Sequence, residues 1–223
     1  MKAISIVVLS AFALVPLASY AADSSPDLAT DVWKASGGEN WPKVRQVRFT
    51  FQMEAAGKTV ESVKHDWDVI GGTDHVQWKD TDGNDHDVKV ELQSPPREGE
   101  GQKGYARWVN DSYWLLAPLK IKDPGVIATP GTQKEFNGVM CDTLRLQFTD
   151  VGLTPTDQYL FYVDPASKLP KAWDYIPKDA GGVQATWDNY QKFGGLNLAT
   201  EHHFNDNAIK FTGVKVIMSK RGF

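Results

Sequence analysis

Histidines are the residues of this 223-residue chain best suited to acid–base or metal chemistry. His202 and His203 are neighbours in a stretch that alternates like a β-strand, where neighbouring side chains point to opposite faces. The two rings therefore cannot readily share one metal ion, and we predict no metal site there. His65 shares an apolar strand face with Trp67, which indicates a hydrogen-bonded histidine in the core or in a cavity wall.

An acidic segment carries oxygen ligands at spacings that approach those of a calcium-binding loop. These residues are Asp80, Asp82, Asn84, His86 and Glu91. The sixth position of such a loop requires glycine for its sharp turn, and here it is Asp85. The flanks alternate like strands, so we predict the acid-rich tip of a β-hairpin. His75 and His86 lie beside its turns, where we expect solvated side chains.

Other signatures of catalysis or cofactor binding are missing from the sequence. It contains no Gly-x-Ser-x-Gly, no phosphate-binding loop, no His-Glu-x-x-His and no dinucleotide fingerprint. Cys141 is the only cysteine, and its apolar neighbours predict a small core residue rather than a nucleophile. We therefore predict a protein that is not an enzyme and needs no cofactor. The alternative is a hydrolase or isomerase that uses His65 or Asp66.

Aromatic residues are abundant: eight Trp, seven Tyr and ten Phe. Many fall on inward positions of predicted strands or in a short predicted helix. The predicted ligand-binding residues are Phe49, Phe51, Trp67, Trp78, Tyr113, Trp114, Leu116 and Trp187. A curved sheet with more apolar surface than its helices can cover commonly encloses a cavity for an apolar ligand. The alternative for the same residues is a fully packed core.

Alternating apolar and polar residues predict the strands that would position these side chains. The alternation starts at Val44 and continues to Met218, interrupted by turn signals such as Asn137-Gly138. This pattern indicates about ten antiparallel strands in an all-β barrel or sandwich.

Two short helices are predicted in addition. The first begins at Ser25-Pro26 and ends at Gly37-Gly38. The second occupies part of Tyr105–Leu119, with Asp111 or Ser112 as its cap. The segment 94–104, which is rich in proline and glycine, is predicted to be a loop.

The N-terminus has the form of a secretory signal peptide. An apolar run from Ala3 to Leu17 follows a basic start and precedes small residues that end at Ala21. We predict that residues 1–21 are cleaved and that residues 22–223 form one domain. The run is short and contains a proline, so no membrane span is predicted. The residue immediately after the cleavage point is alanine rather than cysteine, so no lipid anchor is predicted either.

Composition and charge exclude several classes of protein. Hydrophobic residues make up 41% of the chain and charged residues 23%, as in ordinary globular domains. The formal net charge is −4, and lysine and arginine are scattered along the chain. Because nucleic-acid-binding proteins usually carry a basic stripe, we predict no nucleic-acid partner.

Several segments of the mature chain form a pattern shared with a known group of proteins. The first predicted helix ends in Gly-Gly shortly before Trp41, and the other segments are Tyr113–Lys120, Asp123–Gly125, Asp150–Pro155, Tyr159–Asp164 and Leu169–Tyr175. Together they resemble a family of secreted bacterial envelope proteins with the LolA/LolB-like fold of lipoprotein-localisation factors. The resemblance implies a mainly β protein: an open half-barrel of about ten antiparallel strands, with one or two short helices covering the concave face.

The resemblance also implies a periplasmic carrier or sensor whose concave surface holds acyl chains. The inward arginine of the carriers has no unambiguous match among Arg45, Arg48, Arg107 and Arg145, and the alternation puts Arg48 on the polar face. We therefore predict a periplasmic protein that binds a lipid-like or other hydrophobic ligand. The alternative is an envelope interaction or sensor protein without a small ligand, which would bind a partner through a sheet edge or the acidic tip at 80–87.

Overall fold

The computed structural model describes residues 27–179 and 181–219. The helices are α1 (Leu28–Ala35) and α2 (Gly99–Leu116), each followed by a 3₁₀ segment, Gly38–Lys43 and Ala117–Lys122. The strands are β1 (Val44–Ala55), β2 (Lys58–Asp68), β3 (Thr73–Lys79), β4 (Asp85–Glu91), β5 (Val126–Phe136), β6 (Val139–Phe148), β7 (Gln158–Val163), β8 (Pro170–Ile176), β9 (Val183–Thr186), β10 (Asp188–Phe193), β11 (Leu196–Phe204) and β12 (Asn207–Met218). The predicted signal peptide and the Ser25-Pro26 helix start lie outside the described residues. None of the described helices combines the length and apolar character needed to cross a membrane.

The strands form two antiparallel sheets. One has seven strands in the order β10-β11-β12-β1-β2-β3-β4, and the other has five in the order β5-β6-β7-β8-β9. Trp187 alone separates β9 from β10, so the chain passes from one sheet to the other at this residue. The His203 amide donates a hydrogen bond to Thr186 Oγ1 (2.9 Å), which connects the two sheets at the same place. The result is the predicted open half-barrel, in which Trp187 divides the connecting stretch into β9 and β10.

The alternation in β1 shows why these segments form half-buried strands. Val47, Phe49 and Phe51 point to the concave face and are 3% exposed or less. Arg48 points to the other face, where its Nε lies 3.0 Å from Asp66 Oδ2. The prediction that Arg48 lies on the polar face is therefore confirmed.

Helix α1 ends as the sequence indicates. It buries Leu28 and Val32, one turn apart, and stops at Ala35. Gly37 follows with a φ of +87°, and a Cβ there would lie 2.2 Å from the Gly195 carbonyl oxygen. Glycine is required at this position for both reasons.

Helix α2 crosses the concave side between β4 and β5, and it differs from its prediction. It begins at Gly99, so residues 99–104 are helical rather than a loop. Asp111 and Ser112 lie buried inside it rather than at its cap. The buried face of the helix carries Gly104, Asp111 and Ser112 beside Leu115, so hydrophobic periodicity could not reveal where the helix begins.

Two apolar clusters fill the concave side. The first lies on the seven-stranded sheet and includes Phe49, Trp67, Leu115 and Leu116. The second lies between α1, the 3₁₀ segment after α2 and the five-stranded sheet, where Trp173 is fully buried. Cys141 is also buried, on β6, as predicted.

Candidate functional site

A cavity of about 460 Å³ lies between α2 and the inner face of the five-stranded sheet. Eight of its nineteen lining residues are aromatic, and they come from both walls. Helix α2 contributes Tyr105, Trp108, Tyr113 and Trp114, while β6, β7 and β8 contribute Phe148, Tyr159, Trp173 and Tyr175. A concave site of this size with aromatic walls suits an apolar or amphiphilic small molecule.

Tyr113 lies at the centre of the aromatic wall. Its ring centroid lies 5.2 Å from that of Tyr159, 5.9 Å from Trp173 and 6.1 Å from Phe148. Trp114, next along the helix, lies 4.6 Å from Trp173 in an edge-to-face arrangement. These offset and tilted pairs are the arrangements that aromatic rings prefer, so the rings of the wall hold one another in place.

The phenols of Tyr113 and Tyr175 in this wall are neutral at physiological pH. Burial raises the pKa of Tyr113 well above its ordinary value. Tyr175 donates a hydrogen bond to Asp157 Oδ2 (2.6 Å). This bond, and burial after it, raise the pKa of Tyr175 to about 12. The tyrosines therefore contribute apolar surface and hydrogen-bonding hydroxyls rather than charge.

The charged groups lining the cavity are Lys120 and Asp123. Lys120 Nζ lies 3.4 Å from Asp123 Oδ2 and 5.8 Å from the ring centres of both Trp67 and Trp108. The ammonium group is thus placed by an ion pair and by two aromatic faces. The Lys120 side chain remains 23% exposed, so a ligand can reach it.

The structure separates the residues predicted to bind a ligand. Tyr113 and Trp114 line the cavity. Five others, Phe49, Phe51, Trp67, Trp78 and Leu116, are buried in the cluster on the seven-stranded sheet. Trp187 lies at the junction of the sheets, where its ring is 5.2 Å from Trp173. The predicted residues therefore form two groups on opposite sides of α2, with Trp187 beside the cavity group.

Sequence reasoning missed several wall residues, notably Phe148, Tyr159 and Trp173. Each lies in a predicted strand, and burial of alternate residues was the available signal. That signal was equally strong for Trp67 and Trp78, which the helix covers. Deciding between the two groups requires knowing which sheet α2 packs against.

A buried charged triad attaches α2 to the seven-stranded sheet. His65 Nδ1 on β2 lies 2.6 Å from Asp74 Oδ2 on β3, and its Nε2 lies 3.0 Å from Asp111 Oδ2 on α2. Burial alone would lower the pKa of His65, but the hydrogen bonds to Asp111 and Asp74 raise it to about 9. The ring is therefore an imidazolium at neutral pH, and it stacks on Phe49 at 4.5 Å.

This triad confirms the prediction of a hydrogen-bonded core histidine at position 65. Both ring nitrogens of His65 are engaged, and His65 does not line the cavity. Asp66 points to the outer face, toward Arg48. Neither residue of the enzymatic alternative therefore faces the cavity.

The paired histidines point to opposite faces of β11, as predicted. His202 is fully buried, and its Nδ1–H donates to the Thr186 carbonyl oxygen (3.0 Å). Burial lowers the pKa of His202 to about 3, so its ring is neutral. The side chain of His203 is 50% exposed.

The acidic segment forms the β3–β4 hairpin tip, as predicted. Asp80 accepts hydrogen bonds from the amides of Asp82 and Asn84 and from the ring of His86. The bond from His86, and then those from Asn84, lower the pKa of Asp80. Across the described ranges, no group of three or more His, Cys, Asp or Glu residues has a geometry that could hold a metal ion.

The expectation for the two tip histidines is right for one of them. The side chain of His75 is 43% exposed. That of His86 is only 11% exposed, and its ring stacks on Trp78 at 4.6 Å. His86 also contacts Glu100 (2.9 Å) in the first turn of α2, so the expectation of a solvated His86 is wrong. The cover is supplied by the helical residues that were predicted to be a loop.

Comparison with known proteins identifies the fold of this chain but gives no family match. No protein-family model and no curated protein matches the sequence. Among solved structures, a LolA superfamily protein from Nitrosomonas europaea is 10% identical over 85% of this chain and 93% of its own, with a TM-score of 0.54. A DUF1329 family protein from Desulfovibrio piger is 11% identical over 85% and 90%, with a TM-score of 0.49. The likeness to the Nitrosomonas protein confirms the LolA/LolB-like fold.

Proposed function

We propose that the protein is a periplasmic carrier that binds a lipid-like or other hydrophobic ligand in the cavity beneath α2. The observation that carries the proposal is the aromatic cavity of about 460 Å³ between α2 and the five-stranded sheet. Burial of apolar ligand surface would supply the affinity, at about 25 cal/mol per Å² before the costs of ordering. The periplasmic location is proposed from the signal-like N-terminus at residues 1–21.

The anchoring of α2 determines how such a ligand would enter. Asp111 binds the helix to the seven-stranded sheet through His65, while the opposite side of the helix meets the five-stranded sheet across the cavity. Opening is therefore expected between α2 and β6–β8, with α2 remaining on its own sheet. The loop at 151–154, which lines the cavity beside the helix, is part of this movable boundary.

The proposal is tested by native mass spectrometry of protein purified gently from a periplasmic extract, followed by organic extraction. The informative variant is Val109→Trp, because Val109 lines the cavity and a large ring there fills it. Val60→Trp is the matched control, since Val60 is 62% exposed. We expect a bound lipid in the wild type and in Val60→Trp, and at least a tenfold lower occupancy in Val109→Trp, equivalent to about 1.4 kcal/mol. A wild-type protein that stays free of ligand when offered mixed membrane lipids would refute the carrier.

A second candidate is an envelope protein that binds a protein partner through a sheet edge. Strand β5 is the terminal strand of the five-stranded sheet, and Ile127 on it is 48% exposed. Met140 on the neighbouring β6 is 52% exposed. Exposed apolar residues on an edge strand favour pairing with another chain. Ligand-free protein that captures an envelope partner, and loses it in Ile127→Lys, would favour this candidate.

A further inference from the structure

A second concave surface continues the cavity toward solvent. This groove, of about 720 Å³, lies between residues 93–97 and the first turns of α2. Tyr105 and Leu153 line both the groove and the cavity, so the two spaces adjoin at these residues. Leu153 is 51% exposed at this boundary, although it is a large apolar residue. An elongated molecule can therefore run from the aromatic cavity into the groove.

The groove and the cavity differ in polarity. Arg97 and Lys103 are exposed and line the groove. Neither has an acidic partner within ion-pair distance among the described residues. Around both spaces the lining cations are Arg97, Lys103 and Lys120, whereas Asp123 is the single lining acid.

The lining of the groove and the cavity carries a net positive charge, whereas the whole chain carries a net negative charge. The chain carries a formal net charge of −4, yet the lining residues of groove and cavity sum to +2, from three cations and one acid. A local excess of cations beside an apolar cavity attracts an anion that is attached to an apolar body. Surface cations alone are common, but here they lie at the open end of an aromatic cavity.

From this arrangement we infer that the ligand is an anionic amphiphile: its acyl chain occupies the aromatic cavity, and its carboxylate or phosphate headgroup lies in the groove beside Arg97 and Lys103. The inference depends on the proposed function, because it names the ligand class of the same site. Tyr105 lies where the two spaces meet, and its amphipathic ring suits the boundary between chain and headgroup.

The test compares lysolipids that share one acyl chain and differ in headgroup charge. Binding of palmitoyl lysophosphatidic acid, palmitoyl lysophosphatidylcholine and palmitate to the purified protein is measured by calorimetry at two salt concentrations. The double variant Arg97→Gln/Lys103→Gln removes the groove cations. Lys89→Gln is the matched control, because Lys89 is exposed on β4 and lines neither space. Thermal unfolding of each variant establishes that it is folded.

We expect the wild type and Lys89→Gln to bind the lysophosphatidic acid roughly fivefold more tightly than the lysophosphatidylcholine, with the preference reduced by salt. The double variant should bind both equally. If the double variant loses affinity for palmitate as well as for the lysophosphatidic acid, the groove recognises the headgroup by its charge alone. If it loses affinity only for the lysophosphatidic acid, the groove recognises a phosphate headgroup. Equal wild-type affinity for both lysolipids would overturn the inference and leave the carrier intact. Binding of none of the three would overturn both.

Discussion

The two sides of helix α2 differ in how they meet their sheets. Toward the seven-stranded sheet the helix is sealed: Leu115 is fully buried, Asp111 is bonded to His65, and Trp108 lies 5.2 Å from Trp67. Toward the five-stranded sheet, Val109 and Tyr113 face a cavity. The same element therefore serves as fixed core on one side and as the wall of a cavity on the other. In this half-barrel, the covering helix is anchored to one sheet by a buried ion pair and meets the other through the rings of Tyr113 and Trp114, which leaves the cavity beside them.

The largest effect is expected from breaking the attachment of the sealed side. His65→Leu leaves the buried carboxylates of Asp74 and Asp111 without their partner, which costs about 3–5 kcal/mol of unfolding free energy. Arg48→Ala is the control, since it breaks an exposed ion pair with Asp66 that contributes about 0–1 kcal/mol. Denaturant unfolding measures both. Equal losses in the two variants would show that the triad does not hold the helix.

A smaller effect should distinguish the two helix faces directly. Leu115→Ala removes a fully buried side chain and should cost about 2–5 kcal/mol. Val109→Ala removes a half-buried side chain beside existing space, and its cost should stay below about 1 kcal/mol. Thermal or denaturant unfolding of the pair checks the difference. Similar costs would mean that the cavity side is packed as firmly as the sealed side.

The smallest effect is expected from a change of pH. Two buried histidines contribute to the pH dependence of stability in opposite directions. His65 has a folded pKa of about 9 against an ordinary 6.5, so its stabilisation is complete below pH 6.5 and is lost as the pH rises through 9. His202 has a folded pKa of about 3, so the native state opposes its protonation and stability falls as the pH drops from 6.5 toward 3. The unfolding free energy of the wild type and of His202→Gln should fall as the pH rises from 6.5 to 9. That of His65→Leu should not fall over this range. If the unfolding free energy of His65→Leu falls as steeply as that of the wild type, a group other than His65 causes the fall.

The fold was more accessible from sequence than the site was. Alternation in segments such as Val47–Phe51 shows which face of a strand is buried, because every second residue lies on the same face. The start of helix α2, at residues 99–104, was missed because Gly104 packs against Val90, where a Cβ would lie 3.1 Å from Val90 Cγ1. The burial of Asp111 inside the helix was missed because its partner, His65, is 46 residues away. A local pattern cannot register such a long-range ion pair. The same limit hid which aromatic residues line the predicted cavity, since both sheets present inward aromatic residues and only packing decides which stay uncovered.

The passage of one strand between the sheets at Trp187 has a mechanical consequence. Hydrogen-bonded ladders end on either side of this residue, and across it the sheets are joined by the bonds from His202 and His203 to Thr186. A change of the angle between the sheets would therefore act on these two bonds while the ladders stay intact. The contacts of Trp187 with Trp173 (5.2 Å) and His202 (4.6 Å) then set the stiffness of the joint. A change of angle at this joint would alter the width of the cavity between α2 and the five-stranded sheet.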